Sequence, residues 1–323
     1  EKNTSLIERG NDWMLRAMYS GVSGLRGFQT KLDVIGNNIA NVNTIGFKKG
    51  RIIFQDVLSQ NIAGATAPDA ANNRGGVNPR QVGLGVQIGA IDTIHTPGSP
   101  MSTGVLTDLS IAGDGFFVVV PPGMDPDEGY FYLTRAGNFT LDAENQLVTS
   151  DGYLVLGIRI NDDGVPVNES GGEVTDLSEA YTTIRIDSGD PENKFVSYDI
   201  TRDGKVIGYY EDGTSKPIAA LAISVVNNPG GLRKIGGSFY ELTANAVPNG
   251  SFVPDSQDDN HNIGTISTLG VTSEIISGQL EMSNVDLAEE FTEMIIAQRG
   301  FQANTRIITT SDEILQELVN MKR

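Results

Sequence analysis

The last forty residues of this 323-residue chain repeat in sevens. Leu287, Met294, Phe301, Ile308 and Leu315 are all large and apolar, and no proline interrupts them. A companion row, Phe291, Gln298, Thr305, Asp312 and Val319, is apolar at its ends and polar in its middle. Seven-residue spacing sustained this long specifies a long helix with one full apolar seam and one mixed seam. Such a helix cannot bury its stripe on itself. The other chain end offers a partner. Met18, Leu25, Leu32 and Ile39 are also seven apart, and Met14, Phe28, Ile35 and Val42 form a second row with Gly21 between its first two members. The reading is an α+β chain. Its long N- and C-terminal helices pair as a coiled-coil-like inner domain, and an all-β body of short strands loops out between them.

The boundaries follow from the change of period. Residues 1–13 hold the lone Trp, Trp13, lack the repeat, and read as an upstream extension or an expression remnant. Residues 14–44 with 273–323 form the terminal helical domain. Ser283 or Asn284 is the expected N-cap of the second helix, and Asp286, Glu289 and Glu290 suit the positive end of its dipole. Lys322 and Arg323 suit the other end. Residues 45–85 read as an extended, mostly irregular arm. Residues 86–272 switch to period two and form the β-rich body, with a small excursion near 161–195 and one expected core. Asp-Gly pairs begin at Asp114, Asp151, Asp163, Asp203 and Asp212, where tight hairpin turns need positive φ. Asn37, Asn38, Asn41 and Asn43 cluster where the first helix ends. They either terminate it or reach a neighbouring chain.

Composition closes several routes. No run of 18 apolar residues is present, so no transmembrane helix is expected, and no basic-then-apolar leader is visible. Cys is absent, which removes disulfides, thiol nucleophiles and Cys-based metal sites. The formal charge of −18 argues against nucleic acid and anionic membranes as partners. The two histidines, His95 and His261, stand far apart in polar turn contexts without a supporting constellation. Residues 83–89 (GLGVQIG) lead into strand-like residues and not into a helix, which is wrong for a phosphate loop. The acidic clusters at Asp125–Glu128, Asp162–Asp163 and Asp255–Asp259 lack calcium-loop spacing. No catalytic, cofactor or metal residue is assigned, and the chain is expected not to be an enzyme.

Five stretches then carry a resemblance. Leu32–Lys48 (LDVIGNNIANVNTIGFK), Gly113–Val118, Tyr132–Thr140 (YLTRAGNFT), Ser283–Glu290 and Met294–Asn304 (MIIAQRGFQAN) are similar to the signatures of bacterial flagellar rod and hook proteins. The resemblance covers nearly the whole chain from Met14. It implies terminal helices lining a central channel, an outer β layer, and a homopolymer of identical subunits in a helical tube. It also implies export through the flagellar type III apparatus without a cleaved signal, and contacts with other axial proteins (rod, hook-cap and hook–filament junction). The expected location is the hook or basal body, extracellular after export, with no membrane insertion. Subunit contacts are expected at Met18, Leu25, Leu32, Ile35, Asn37, Asn38, Ile39 and Asn41, and at Leu287, Phe291, Met294, Phe301, Ile308 and Leu315.

Within the family the resemblance favours the hook, a flexible universal joint, over the distal rod, a straight drive shaft. Residues 75–86 (GGVNPRQVGLGV), 220–232 (ALAISVVNNPGGL) and the terminal NMKR resemble hook proteins of Gram-positive type. The long 55–82 arm and the shortness of 161–195 point toward the rod. A secreted β-rich binding or adhesive module with helical oligomerisation ends is the competing class.

Overall fold

The computed structural model describes residues 2–68, 75–124, 131–161, 165–167, 181–186, 195–246, 265–267 and 273–321. The chain divides into two units. Residues 1–40, 50–93 and 286–323 make a helical unit, and residues 41–49 with 94–285 make the β body.

In the helical unit, α1 runs Lys2–Ala40 and α2 runs Leu287–Met321. The first helix therefore takes in residues that the sequence reading set aside as an extension. Those residues hold no proline, and a lone Gly10 costs about 1 kcal/mol, too little to stop a propagating helix. α1 also stops earlier than expected, because residues 41–46 are in turns that end on Gly46 at φ 67°. The second helix is capped by Asp286, not by Ser283 or Asn284. The Asp286 carboxylate accepts from the backbone N–H of Ala288 at 2.8 Å and of Glu289 at 3.4 Å.

The helices run antiparallel. Gly21 faces Ile308, Gly24 faces Asn304, Gly300 faces Phe28, and Lys31 pairs with Glu293 at 2.5 Å. A Cβ at Gly300 would lie 2.5 Å from the Phe28 ring, and one at Gly24 would lie 2.7 Å from the Asn304 amide. The close approach therefore depends on small residues. Among the described side chains of α2, Glu290, Ala297 and Ser311 are buried, and Met294, Phe301, Asn304, Ile308 and Leu315 are half-buried. The mixed companion row of the sequence is not the second row of this contact. Phe291, Gln298, Thr305, Asp312 and Val319 are all exposed, and the inner row is the small and polar one beside them.

The arm is not irregular. β1 (Gly50–Asp56) pairs with β4 (Val86–Thr93), and β2 (Ser59–Ala63) pairs with β3 (Arg80–Gly83), both antiparallel. Backbone bonds from Val57 to Gly85 and from Leu84 to Leu58 bridge the two pairs, and Thr66 bonds Val77 in both directions. The result is one long two-stranded ribbon. Its base lies on α1, where Phe54 meets Gly27 and Phe28, and the Arg16 guanidinium donates to Gln60 at 2.9 Å further along.

The body holds β5 (Pro100–Ser102), β6 (Leu109–Gly113), β7 (Phe116–Val120), β8 (Tyr132–Thr134), β9 (Thr140–Leu141), β10 (Leu147–Val148) and β11 (Leu154–Arg159). It continues with β12 (Tyr181–Thr183), β13 (Phe195–Ile200), β14 (Lys205–Tyr210), β15 (Ser215–Leu221), β16 (Ile223–Val225), β17 (Arg233–Gly236) and β18 (Phe239–Glu241). β19 (Thr265–Ser267), β20 (Ser273–Ser277) and β21 (Gln279–Glu281) complete it, so residues 273–281 are strand and not the start of the helix. The main sheet runs β13-β14-β15-β11-β7-β8-β18-β17, while β20 pairs with β6 and β21 with β5. The Asp-Gly turns at Asp203 and Asp212 join β13 to β14 and β14 to β15, with Gly204 and Gly213 at φ 70° and 75°. Asp163 and most of the 161–195 excursion lie outside the described residues.

The central strand β7 is buried at every position. Phe116, Val118 and Val120 enter one core cluster, and Phe117 and Val119 enter another. The body thus has two cores, one on each face of this sheet, where the sequence reading expected one. A continuous apolar run is what a strand covered on both faces requires. Phe117 is fully buried and meets Phe139 edge-on at 5.1 Å. Phe117→Ala should destabilise the body by about 3–5 kcal/mol, read as a lower urea midpoint by tyrosine near-UV circular dichroism. A midpoint unchanged from the parent would contradict the two-core description.

Candidate assembly surfaces and a buried charge cluster

The residues expected at subunit contacts fall into three groups. Ile35 is buried, while Met18, Leu25, Leu32, Ile39, Met294, Phe301, Ile308 and Leu315 are half-buried. Asn38 turns inward. Its amide donates to Gly50 O at 2.9 Å and to Glu290 Oε2 at 3.2 Å, and its oxygen accepts from Gly50 N–H at 2.9 Å. It is 2% exposed, so its side chain is spent inside the subunit and not on a neighbour. Asn41 accepts from the Thr44 hydroxyl at 3.1 Å and shapes the turn after α1, whereas Asn37 is exposed. Leu287 and Phe291 are 40% and 50% exposed. Ile295, Ile296, Ile307 and Ile314 are exposed on α2 as well.

The distal ribbon is a second apolar surface. Leu58 is 69% exposed and Ile62 52%, and Val77 and Val82 are also exposed. An isolated two-stranded ribbon is marginal in water, so this segment gains most from being covered.

The body contributes a buried charge cluster that the sequence reading did not find. Glu281 lies at the end of β21. Its carboxylate meets Lys48 Nζ at 2.5 Å and Arg135 Nη1 at 3.3 Å, and accepts from Gly98 N–H at 2.9 Å. All three charged side chains are almost fully buried. Lys48 also donates to Thr96 O, and Arg135 to Gly113 O, both at 2.8 Å. Backbone approach here is tight. A Cβ at Gly46 would lie 2.6 Å from Ala136 N, and one at Gly98 would lie 1.9 Å from Met282 O. Asn284 completes the tie: it accepts from Lys49 N–H and donates to Ile94 O, both at 2.8 Å.

His95 belongs to this cluster and is not a solvated turn residue. Its ring packs against Phe116 at 5.6 Å and Tyr240 at 5.3 Å, and the Arg135 guanidinium lies over Phe116 at 5.2 Å. Burial, followed by the charges of Lys48, Arg135 and Lys234, pushes the His95 pKa down to about 4. Burial also lowers Lys48, against the pull of Glu281, and pushes Tyr240 up to about 12. His261 lies outside the described residues. The cluster holds no nucleophile–base pair, and no group of three or more His, Asp or Glu is placed for a metal among the described residues. Chemically it is a tie. Two cations on one carboxylate fix Gly46–Lys49, Thr96–Gly98 and Glu281–Asn284 to the first strands of the body.

Three family models match the chain: the flagella basal body rod protein model at residues 18–48, the flagellar hook protein FlgE/F/G D1 domain at 110–208, and the flagellar basal body rod FlgEFG C-terminal region at 276–321. The flagellar basal-body rod protein FlgG of Bacillus subtilis is 46% identical over 310 residues, covering 96% of this chain and all of that protein. The chain belongs to the flagellar rod and hook family. The FlgG of Borreliella burgdorferi is 32% identical over 312 residues. The hook protein FlgE of the same organism is 30% identical over 462 aligned positions, covering 96% of this chain and all of that protein. As a rod and hook family member the chain is a structural subunit of the axial part of the bacterial flagellum, and not an enzyme.

Two predictions test the cluster. Glu281→Gln leaves Lys48 and Arg135 buried without a counter-charge and should cost about 3–5 kcal/mol of body stability in urea unfolding. A change below 1 kcal/mol would contradict the tie. The second concerns pH. His95 has a folded pKa near 4 against 6.5 in the unfolded chain, so the unfolded state binds the extra proton first. Stability on this account is intact above about pH 6.5, falls as pH drops from 6.5 toward 4, and levels off below. The loss should be about 2 kcal/mol once solvent screening of the partly open ring is allowed for. His95→Phe should flatten this part of the pH profile, and a variant that keeps the parental slope would contradict it.

Proposed function

We propose that the chain polymerises with copies of itself into the straight distal rod, and not into the hook. Chain length carries this reading. The B. subtilis rod relative aligns over its whole length within 310 positions, whereas the hook relative needs 462 to align with the same share of this chain. The additional hook positions have no counterpart here, in keeping with the shortness of the 161–195 excursion. The ribbon supports the same reading, because an apolar, two-stranded projection is suited to wedging between neighbours and stiffening a tube.

In this account α1 and α2 form an antiparallel, coiled-coil-like pair. The seven-residue spacing of both Glu290–Ala297–Asn304–Ser311 and Met294–Phe301–Ile308–Leu315 supports it. The exposed apolar side chains of α2 meet other copies through repeated, non-closing contacts, which generate a helical polymer. Export through the flagellar type III apparatus, and end contacts with other axial proteins, complete the role.

Negative-stain microscopy of the polymerised chain tests the assignment. Straight tubes are expected, and uniformly curved tubes would return the chain to the hook. Replacing residues 60–82 by Asn-Gly, a tight hairpin turn, should give tubes that bend. If they stay as straight as the parent, the ribbon has no part in stiffness. Phe301→Asp should abolish tubes while the body stays folded, because it places a charge in an apolar seam. Tubes of normal yield from that variant would remove the helix pair from assembly.

A further inference from the structure

The charge of the chain is not shared between its two units. The helical unit has 14 acidic and 12 basic residues, a net of −2. The β body has 27 acidic and 11 basic residues, a net of −16, and the two account for the −18 of the whole. Exposed apolar side chains divide the other way. Of the 24 large ones among the described residues, 16 lie in the helical unit and 8 in the much longer body. The two distributions are independent observations on different residue types. Cohesion and repulsion are therefore carried by different parts of the chain.

We infer that assembly of this chain is gated by counter-cations condensing on the β body. The inference rests on the polymerisation proposed above and names what regulates it. Bringing many copies together concentrates a −16 body beside its equals, and the self-repulsion opposes the apolar gain of the helical unit. Mobile cations relieve it over a Debye length of roughly 10 Å at 0.1 M salt and 3 Å at 1 M. The partner named here is a diffuse cation atmosphere, and among the described residues no group of three or more metal-ligating side chains converges. A small monovalent cation should therefore suffice, and a divalent one should act at lower concentration without a fixed stoichiometry. The exposed acidic residues Asp203, Glu211, Asp212 and Glu274 lie on turns and strands of the body, outside both core clusters.

The test is the concentration at which the full chain begins to polymerise, followed by light scattering in NaCl from 20 to 500 mM. Chloride salts are used because strongly salting-out anions would strengthen apolar contacts as well. The threshold should fall about tenfold across that range. The combined variant Asp203→Asn, Glu211→Gln, Asp212→Asn and Glu274→Gln should polymerise at low salt at a threshold about threefold below the parent and respond less to NaCl. A threshold independent of salt, or one that rises with it, overturns the inference, as does a variant that behaves as the parent. The second virial coefficient of the unassembled chain separates this from failure of the polymerisation reading. It should be positive at 20 mM NaCl and fall as salt rises. If it does so while no tubes form in any salt, body repulsion stands, and both the polymerisation reading and the gating of assembly fall. If it is flat, the inference falls even where tubes form.

Discussion

The buried carboxylate of Glu281 is the point from which the rest of the subunit hangs. Chain passes between the two units occur at 40/41, 49/50, 93/94 and 285/286. The body-side residues of these passes are tied by Lys48, Gly98, Arg135 and Asn284 in and around the Glu281 cluster. A buried ion pair is weak evidence for stability, since desolvation offsets much of its attraction. Its worth here is positional. Three segments distant in sequence are held together inside the body. On the helical side Asn38 does the same for Gly50 and Glu290. Asn38 and Asn41 thus supply amide hydrogen bonds where the helix stops, and Gly46 takes the positive φ of the turn that follows.

Much of the architecture could be read from the chain alone, and the errors are physically instructive. Met294, Phe301, Ile308 and Leu315 lie on the half-buried face of α2, whereas Leu287, the first member of the same row, is 40% exposed. The mixed companion row, Phe291 to Val319, stays exposed and takes no part in the contact with α1. Where two helices approach closely, the inner row holds Ala297, Asn304 and Ser311, with Gly24 and Gly300 making room. Smallness, and not hydropathy, was the missing signal. Ala, Asn and Gly are poor strand formers and make the arm look irregular in sequence, yet backbone pairing holds it as a ribbon on which Leu58, Ile62, Val77 and Val82 are exposed.

The charge cluster was harder to see, since Lys48, Arg135 and Glu281 are far apart and ordinary in composition. A cue existed: each stands next to apolar or glycine residues in a stretch otherwise suited to burial, as in Gly46-Phe47-Lys48 and Leu280-Glu281-Met282. A lone charge in such a setting asks for a partner. His95 escaped notice for the opposite reason. Its sequence setting, Thr93-Ile94-His95-Thr96-Pro97, reads as a turn, and only the fold brings Phe116 and Tyr240 against it. The resulting division of labour is plain: a charged body locked by an internal tie, and a helical unit whose apolar surface exceeds what one copy can cover.

Hydrogen exchange of the free and polymerised chain tests this division most directly. The amides of Gly46–Lys49 and Glu281–Asn284 should be protected in the free subunit and change little on assembly. Those of residues 57–66, 77–84 and 287–321 should exchange fast in the free subunit and slow down strongly in the polymer. Protection gained mainly in the strands of the body, with the ribbon and α2 unchanged, would contradict the account.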